Sequence, residues 1–458
     1  MRTLFIILIL AFHSSAQDIP KKNIMKAKRF TSNAIALYNE GQSVNAYMML
    51  SQAYDLDSNN TNTLFWLSQT EYELRAYRSA QKHIHRNLLL LKEHANLEAL
   101  TLAAQIELSL NYYEVALQDI SAAKKLLKNE KDFALLGLAT LQQQCDFAIK
   151  AKQGNIQNQR ALLGGKLNTP YDEYGPIFHP VNQHLYFTSR NPDTKGANLN
   201  PDDQRYFEDI IEVSPDPETS GAWSKHFENQ EVMNTAGFDA LSYISSNGLY
   251  ALGTVNTTAS EEQNTESSDI FELTTEKPGI WDDKQLITTI PGLKSSYFEG
   301  SPSLTDTLWT DGDNFTIEMY FVSDRQAEKY ATDLFMVKNI NGVWQESAVA
   351  LPVGINSEGR ETTPFVSPDG QWLIFASDFH PGMGGYDLFY CKREDDKWSL
   401  PINLGAQINT SLDDTHFQIS ISAQKLVWAS VSEIDGLFSY NIFEAAINAL
   451  PFSLEKSE

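Results

Sequence analysis

One pattern recurs five times in the second half of this 458-residue chain, at intervals of roughly 60 residues. It begins with an acidic residue, three places before a proline or its substitute: Glu173 (EYGPIF), Asp239 (DALSYI), Glu299 (EGSPSL), Glu361 (ETTPFV) and Asp414 (DTHFQI). A strand ending near Ser or Thr follows, as in LYFTSR, LYALGT, MYFVSD, LIFASD and LVWASV. Then comes Asp with two apolar residues at Asp209, Asp269, Asp333 and Asp387, with Gly436-Leu-Phe read as the degenerate fifth copy. Tryptophan follows in four cases, at Trp223, Trp281, Trp344 and Trp398. A unit of four short strands cannot bury both faces alone, so repeating it favours radial stacking and ring closure, which removes open strand edges. The spacing predicts a β-propeller over 161–458, of five blades with six as the alternative.

The fourth copy is the clearest. Ser367-Pro368-Asp369-Gly370 suits a tight turn between the first two strands, because proline presets φ and glycine accepts the turn's last position. Asn247-Gly248 serves the same purpose in the second copy. Gly382, Gly384 and Gly385 precede Asp387 between the second and third strands. A phosphate loop would need a helix after such glycines, whereas a strand follows, so the cluster reads as a corner. LGGKLNT (163–169) and LGAQINT (404–410) match as passages between blades. The strand before residue 163 is therefore expected to complete the last blade and close the ring, with the C-terminal NALPFSLEKSE as the competing candidate.

The first half has another period. Proline is absent between Pro20 and Pro170, and small residues recur: Ala46, Ala80 and Ala116 lie 34 and 36 apart. Ala34, Ser68 and Ala104 stand twelve places before them, and Ala53 and Ala123 seven after. Antiparallel helices approach closely only where crossing side chains are small. The interval resembles the tetratricopeptide (TPR) repeat. Three repeats are expected near 27–60, 61–94 and 97–130, with a capping helix over 132–152. The polar GNIQNQR marks a linker at 153–160. The expected fold is multidomain, α then all-β: a TPR-like α-solenoid over 25–152, followed by the propeller.

MRTLFIILILAFHSSAQ places an arginine before a short apolar run and small residues, which predicts a Sec-type signal peptide over 1–16 with cleavage after Ala16. The run is too short to span a bilayer. No cysteine lies near the cut, so no lipid anchor is expected, and the chain reads as periplasmic. The net charge of −24 repels phosphate backbones and anionic headgroups, which excludes nucleic acid and membrane surfaces as partners. Cys145 and Cys391 fall in different domains and read as buried free thiols, the alternative being an interdomain disulfide.

Groups for chemistry are sparse. His83 and His85 are two apart on a helix and point to different sides. HExxH, GxSxG and CxxC are absent, and the Asp/Asn-rich loops 191–203 and 306–314 lack EF-hand spacing and read as solvated insertions. No catalytic residue, metal or cofactor is expected. The five symmetric carboxylates suggest a repeated structural role. Alignment to the TPR repeat places Phe65, Gln69, Tyr72 and Glu73 of the second repeat, and Thr101, Gln105 and Leu108 of the third, along a concave partner-binding groove. Gln69 and Gln105 are equivalent, and a repeated amide suits a peptide backbone.

The propeller motifs, above all SPDG, GGYDLFY, the tryptophan and LGAQINT in order, resemble the WD40-like repeats of bacterial envelope proteins similar to TolB. Signal peptide, TPR array and propeller together resemble periplasmic envelope proteins of gliding, type IX-secreting bacteria. That family usually continues into a carboxypeptidase-regulatory-like domain and an OmpA-like peptidoglycan-binding domain. Neither is present in this sequence, so peptidoglycan anchoring is not expected. The resemblance implies a non-enzymatic scaffold that binds envelope proteins in a secretion or gliding complex. The alternatives are a small-ligand or glycan sensor using the propeller channel, and a propeller hydrolase or lyase.

Overall fold

The computed structural model describes residues 19–452 except 154–159, 165–166, 196–198, 201–202, 217, 219–222, 227–229, 257–267, 294, 296, 310–312, 327–330 and 422–423. The expected signal peptide lies outside the described residues.

Three antiparallel helical hairpins come first: α1 (Lys21–Asn39) with α2 (Ser43–Leu56), α3 (Thr61–Glu73) with α4 (Tyr77–Leu91), and α5 (Leu97–Ser109) with α6 (Tyr113–Leu126). Asn60 and Asn96 cap α3 and α5, their side-chain oxygens accepting from Thr63 N (3.1 Å) and Ala99 N (2.9 Å). The periodic small residues are the crossing points. Ala34, Ala46, Ala53, Ser68, Ala80, Ala104, Ala116 and Ala123 are all fully buried. The predicted capping helix is instead two, α7 (Glu130–Leu135) and α8 (Leu138–Gln153). Gly137, at φ +70°, breaks the run between them, and α8 returns against α6. Each hairpin turns through a left-handed residue at one equivalent position: Gly41 (φ +80°), Arg75 (φ +60°) and Asn111 (φ +65°). Glycine and asparagine are at home there. Arginine is not.

The second half is a five-bladed propeller. Its innermost strands are Glu173–Phe178, Phe238–Ile244, Glu299–Leu304, Glu361–Val366 and Asp414–Ser420. They neighbour one another in a closed cycle, the first also touching the last. In each sheet the next two strands pair antiparallel outward from the innermost one. Ala161–Leu162 pairs with Phe443–Glu444 of blade 5, so the chain preceding blade 1 closes the ring as expected. The described residues of the C-terminal candidate form no strand, Ile447–Ala449 being a short 3-10 turn, and its residues 453–458 lie outside the described residues. Helix α8 runs to Gln153, and at the far side of the expected linker Arg160 is already seated in blade 5, its guanidinium over the Phe443 ring.

The acidic residues are structural, each held within its own blade junction. Glu361 accepts from Ser357 N (2.9 Å), Ser357 Oγ (2.5 Å) and Ser377 Oγ (2.7 Å). Thr169, Thr235 and Thr410 donate to Glu173, Asp239 and Asp414 in the same way, as the Ser295 hydroxyl does to Glu299. At four of these five junctions the residue before the threonine or serine is an asparagine that stitches back to the preceding blade. Asn234, Asn356, Asn409 and Asn168 exchange paired bonds with the backbone of Ile210, Leu334, Leu388 and Ile442. A side-chain amide offers the donor and acceptor that a strand edge needs.

This register corrects the fifth copy. Asp209, Asp333 and Asp387 lie opposite Ser189, Ser323 and Ser377, and the residue opposite Ser430 is Asn441, followed by Ile442 and Phe443. Asn441, not Gly436, is the counterpart. The two strands of that hairpin are ten residues each, which displaces the motif from its turn. The turns at Ser367–Gly370 and Ser245–Gly248 form as predicted, each glycine in the left-handed region and donating to the serine carbonyl.

Candidate functional site

Four of the seven predicted groove residues share one surface. Phe65 and Gln69 of α3, with Thr101 and Gln105 of α5, line a depression of about 550 Å3. Leu136, after α7, closes one end. The wall is nearly neutral, Glu98 being its one ionisable residue. Thr101 Oγ donates to Leu97 O (2.9 Å), so its hydroxyl oxygen retains acceptor capacity. Phe65 packs edge-on against Trp66 (5.6 Å).

The other three are elsewhere. Glu73 accepts from the Tyr38 hydroxyl and from Ser43 Oγ (3.0 Å), tying α3 to the first hairpin. Tyr72 and Leu108 face the propeller. Tyr72 meets Tyr77 edge-on (5.6 Å) in an apolar cluster with Leu412 and Val431. Leu108 is buried in a cluster that includes Met383 of blade 4. These two positions are thus covered by the propeller of the same chain.

The docked interface is the feature that sequence reasoning missed. The blade 4 corner inserts Met383, 3% exposed, among Leu100, Leu108 and Tyr113. A Cβ at Gly384, whose φ is +140°, would lie 2.8 Å from Ser411 O and 3.3 Å from the Leu108 side chain. Glycine is thus required where corner meets helix. Asp387 Oδ2 accepts from Met383 N (2.6 Å) and Gly384 N (3.3 Å), so the corner's carboxylate shapes the contact as well as the turn. Ser411 Oγ donates to Asn111 Oδ1 (3.2 Å).

A polar half lies beside it. Arg75 Nη1 donates to Asp172 (3.0 Å) while its guanidinium stacks 4.5 Å over Tyr440. Asp172 also accepts from Arg205 and from Tyr440 N (2.8 Å). Burial would raise the Asp172 carboxyl, but Arg75 and Arg205 together outweigh it and hold it below the usual range. Tyr77 packs edge-on against Phe438 (5.0 Å), and Arg78 makes a bidentate pair with Glu433 (2.7 and 2.5 Å). One signal for this was readable: an arginine at the left-handed turn where the neighbouring repeats carry Gly41 and Asn111.

The described residues of loop 191–203 are not all solvated as expected: Thr194 and Asn200 are buried, and Asp203 pairs with Arg190 (2.6 and 3.0 Å). Residues 308–309 of the second loop pair with Phe315–Thr316 as a short hairpin.

The inner strands of the propeller line two cavities, one of about 490 Å3 among Ile177, Tyr243, Leu304, Phe365 and Ile419, and a much narrower one beside His416. Gly175, Ser301, Thr363 and His416 leave a cavity of about 20 Å3, room for about one water. His416 N donates to Thr363 Oγ1 (3.1 Å), and Gln418 reaches Ser242 O (3.1 Å) across the axis. Burial drives the His416 imidazole down to about 4, so it stands neutral. His83 and His85 do diverge, to Glu71 (2.7 Å) and Glu107 (2.6 Å). Cys145 and Cys391 are free and buried. Among the described residues no group of three His, Cys, Asp or Glu could hold a metal ion, and no helix is long and apolar enough to cross a membrane.

No family model matches the chain, and no curated protein matches it. Solved structures do. The helical half is similar to the Arabidopsis OM64 TPR domain, at 17% identity over 27% of this chain and 96% of that one, TM-score 0.24. It is similar also to the first TPR of Spaghetti (RPAP3) bound to an HSP90 peptide, at 14% identity over 28% and 98%, TM-score 0.24. The propeller is similar to the GH43 endo-arabinanase from Bacillus licheniformis, at 14% identity over 61% and 95%, TM-score 0.36. Likenesses this distant bear on neither activity nor ligand. What stands is an N-terminal TPR-like helical array followed by a five-bladed propeller.

Proposed function

We propose that this chain is a non-enzymatic scaffold whose TPR-like groove holds a segment of another protein while the docked propeller sets its orientation. The observation that carries the reading is the near-neutral groove of Phe65, Gln69, Thr101 and Gln105, with one amide from each of two successive repeats on the same wall. Such a surface suits an extended or helical peptide, gripped by its backbone and by one apolar side chain against Phe65. The leader-like sequence of the N-terminus supports a periplasmic scaffold with partners among envelope proteins, such as those of a secretion or gliding complex. The narrow passage of about 20 Å3 beside His416 disfavours a glycan threaded through the whole channel.

Affinity capture from native envelopes tests the scaffold, comparing the natural chain with a Gln69→Arg, Gln105→Arg variant. Envelope proteins should accompany the natural chain and be lost from the variant. Recovery of the same set with both chains, or of the chain alone, would overturn the reading. Fractionation of cells expressing the full chain tests the compartment, with the mature protein expected in the periplasmic fraction.

A further inference from the structure

We infer a second binding site in the cleft between the helical array and the propeller, for an acidic peptide segment in which a carboxylate neighbours an apolar side chain. The cleft has a volume of about 410 Å3 and lies between the turn at 74–79 and the propeller segments 170–172, 204–206 and 436–439. Its walls carry Arg75, Arg78, Arg190 and Arg205 against one acidic residue, Asp172. In a chain with 59 acidic residues to 35 basic, four arginines on one lining stand out, and each enters the cleft already in one ion pair. Asp203, which pairs with Arg190, and Glu433, which pairs with Arg78, do not line the cleft.

The arginines divide by task. Arg75 and Arg190 are largely buried and fix the two walls. Arg205 and Arg78 keep 32% and 58% of their side chains exposed. A guanidinium presents five N–H donors in a planar fork that fits a carboxylate, so one ion pair does not exhaust it. Beside these forks the wall is apolar. Tyr77 and Phe438 meet edge-on, and Leu437 is exposed. Arginine forks next to an apolar shelf fit a carboxylate with an apolar neighbour. The net charge of −24 selects within the anions, because a dense polyanion would be repelled by the rest of the surface while a short segment with few carboxylates is not.

Fluorescence anisotropy on the full mature chain tests the site, with a short labelled peptide alternating glutamate and leucine as the probe. Binding is expected. It should weaken about tenfold in Arg205→Gln, several-fold in Arg78→Gln, and not at all in Lys397→Gln, an exposed cation of blade 4 outside both sites, consistent with loss of a charge-assisted hydrogen bond. Arg78→Gln guards against misfolding of the Arg205 variant, since Arg78 is mostly exposed. Four outcomes would each overturn the site: no binding, unchanged affinity in Arg78→Gln, equal binding of a lysine–leucine peptide, or polygalacturonate displacing the peptide at equal carboxylate concentration.

Discussion

At the repeated positions of the helical array stand Ala34, Ser68 and Ala104; at those of the propeller stand Glu173, Asp239, Glu299, Glu361 and Asp414. Both sets are buried almost completely. In the array the repeated quantity is volume: a small side chain lets two backbones approach, and any residue of that size serves. In the propeller it is a hydrogen-bonding pattern, a carboxylate receiving a backbone amide and a hydroxyl, beside an asparagine that completes the neighbouring strand. Volume tolerates exchange between Ala and Ser. A buried acceptor with two or three donors aimed at it tolerates little, because each orphaned donor costs about 1–3 kcal/mol. The two halves therefore should fail differently.

The sharpest way to break this contrast is one substitution in each half. Glu361→Ala removes the acceptor for Ser357 N, Ser357 Oγ and Ser377 Oγ together and should cost about 4 kcal/mol. Ala80→Leu forces extra methylenes against Ala99, Leu102 and Ile106 and should cost about 2 kcal/mol. Urea midpoints followed by far-ultraviolet circular dichroism and tryptophan fluorescence decide it. Equal costs would show that the propeller's carboxylates are no more demanding than the array's alanines.

The same contrast explains what could be read in advance. Small residues at a fixed interval and carboxylates at a fixed interval are both one-dimensional signals, and the eight crossing residues, five inner strands and ring-closing strand followed from them. The blade 5 motif was misplaced because a longer hairpin moved Asn441 away from the turn, although Asn441-Ile442-Phe443 has the right form. Of the interface only Arg75, out of place at a left-handed turn, left a signal, and its partners did not. Arg75 and Asp172 are 97 residues apart, and Arg78 and Glu433 355 apart, with no period linking them. For the groove, helix periodicity found the face but not its covered end, since what covers Tyr72 and Leu108 comes from blades 4 and 5.

Where the halves meet, volume and hydrogen bonding are combined, and Arg75 tests the combination. Arg75→Gly relieves a left-handed residue at φ +60°, a gain of about 1 kcal/mol, yet it removes one of the two guanidinium partners of buried Asp172. The second effect should win by about 2 kcal/mol. Helical ellipticity and tryptophan fluorescence, expected to coincide in the natural chain, should then melt apart. A stabilised variant with one shared transition would show that the ion pair does not hold the halves together.

Titration distinguishes the two kinds of buried carboxylate. Burial pushes Glu173 up to about 7, Asp209 to about 7 and Asp414 to about 6, against the lowering effect of their hydrogen bonds. A carboxyl raised in the folded state binds protons more tightly there than in the unfolded chain, so stability should rise as pH falls from about 8 to about 5. Asp172, held low by Arg75 and Arg205, acts oppositely, and its contribution is lost only below about pH 4. Glu173→Gln should flatten the upper window by up to about 1 kcal/mol per pH unit and leave the lower one unchanged.

The smallest effect belongs to the pair that looks strongest in geometry. Arg78 and Glu433 are bidentate at 2.7 and 2.5 Å, but Arg78 is 58% exposed. Solvent screening and the entropy of holding a long side chain leave such a pair about 0.5 kcal/mol, and half-molar salt should erase it. Arg78→Gln is therefore predicted to shift the melting temperature by about 1 °C at low salt and by nothing measurable at high salt, while Arg75→Gly keeps most of its effect in both. A salt-insensitive loss in Arg78→Gln as large as that of Arg75→Gly would mean that docking depends on exposed charge as much as on the buried pair.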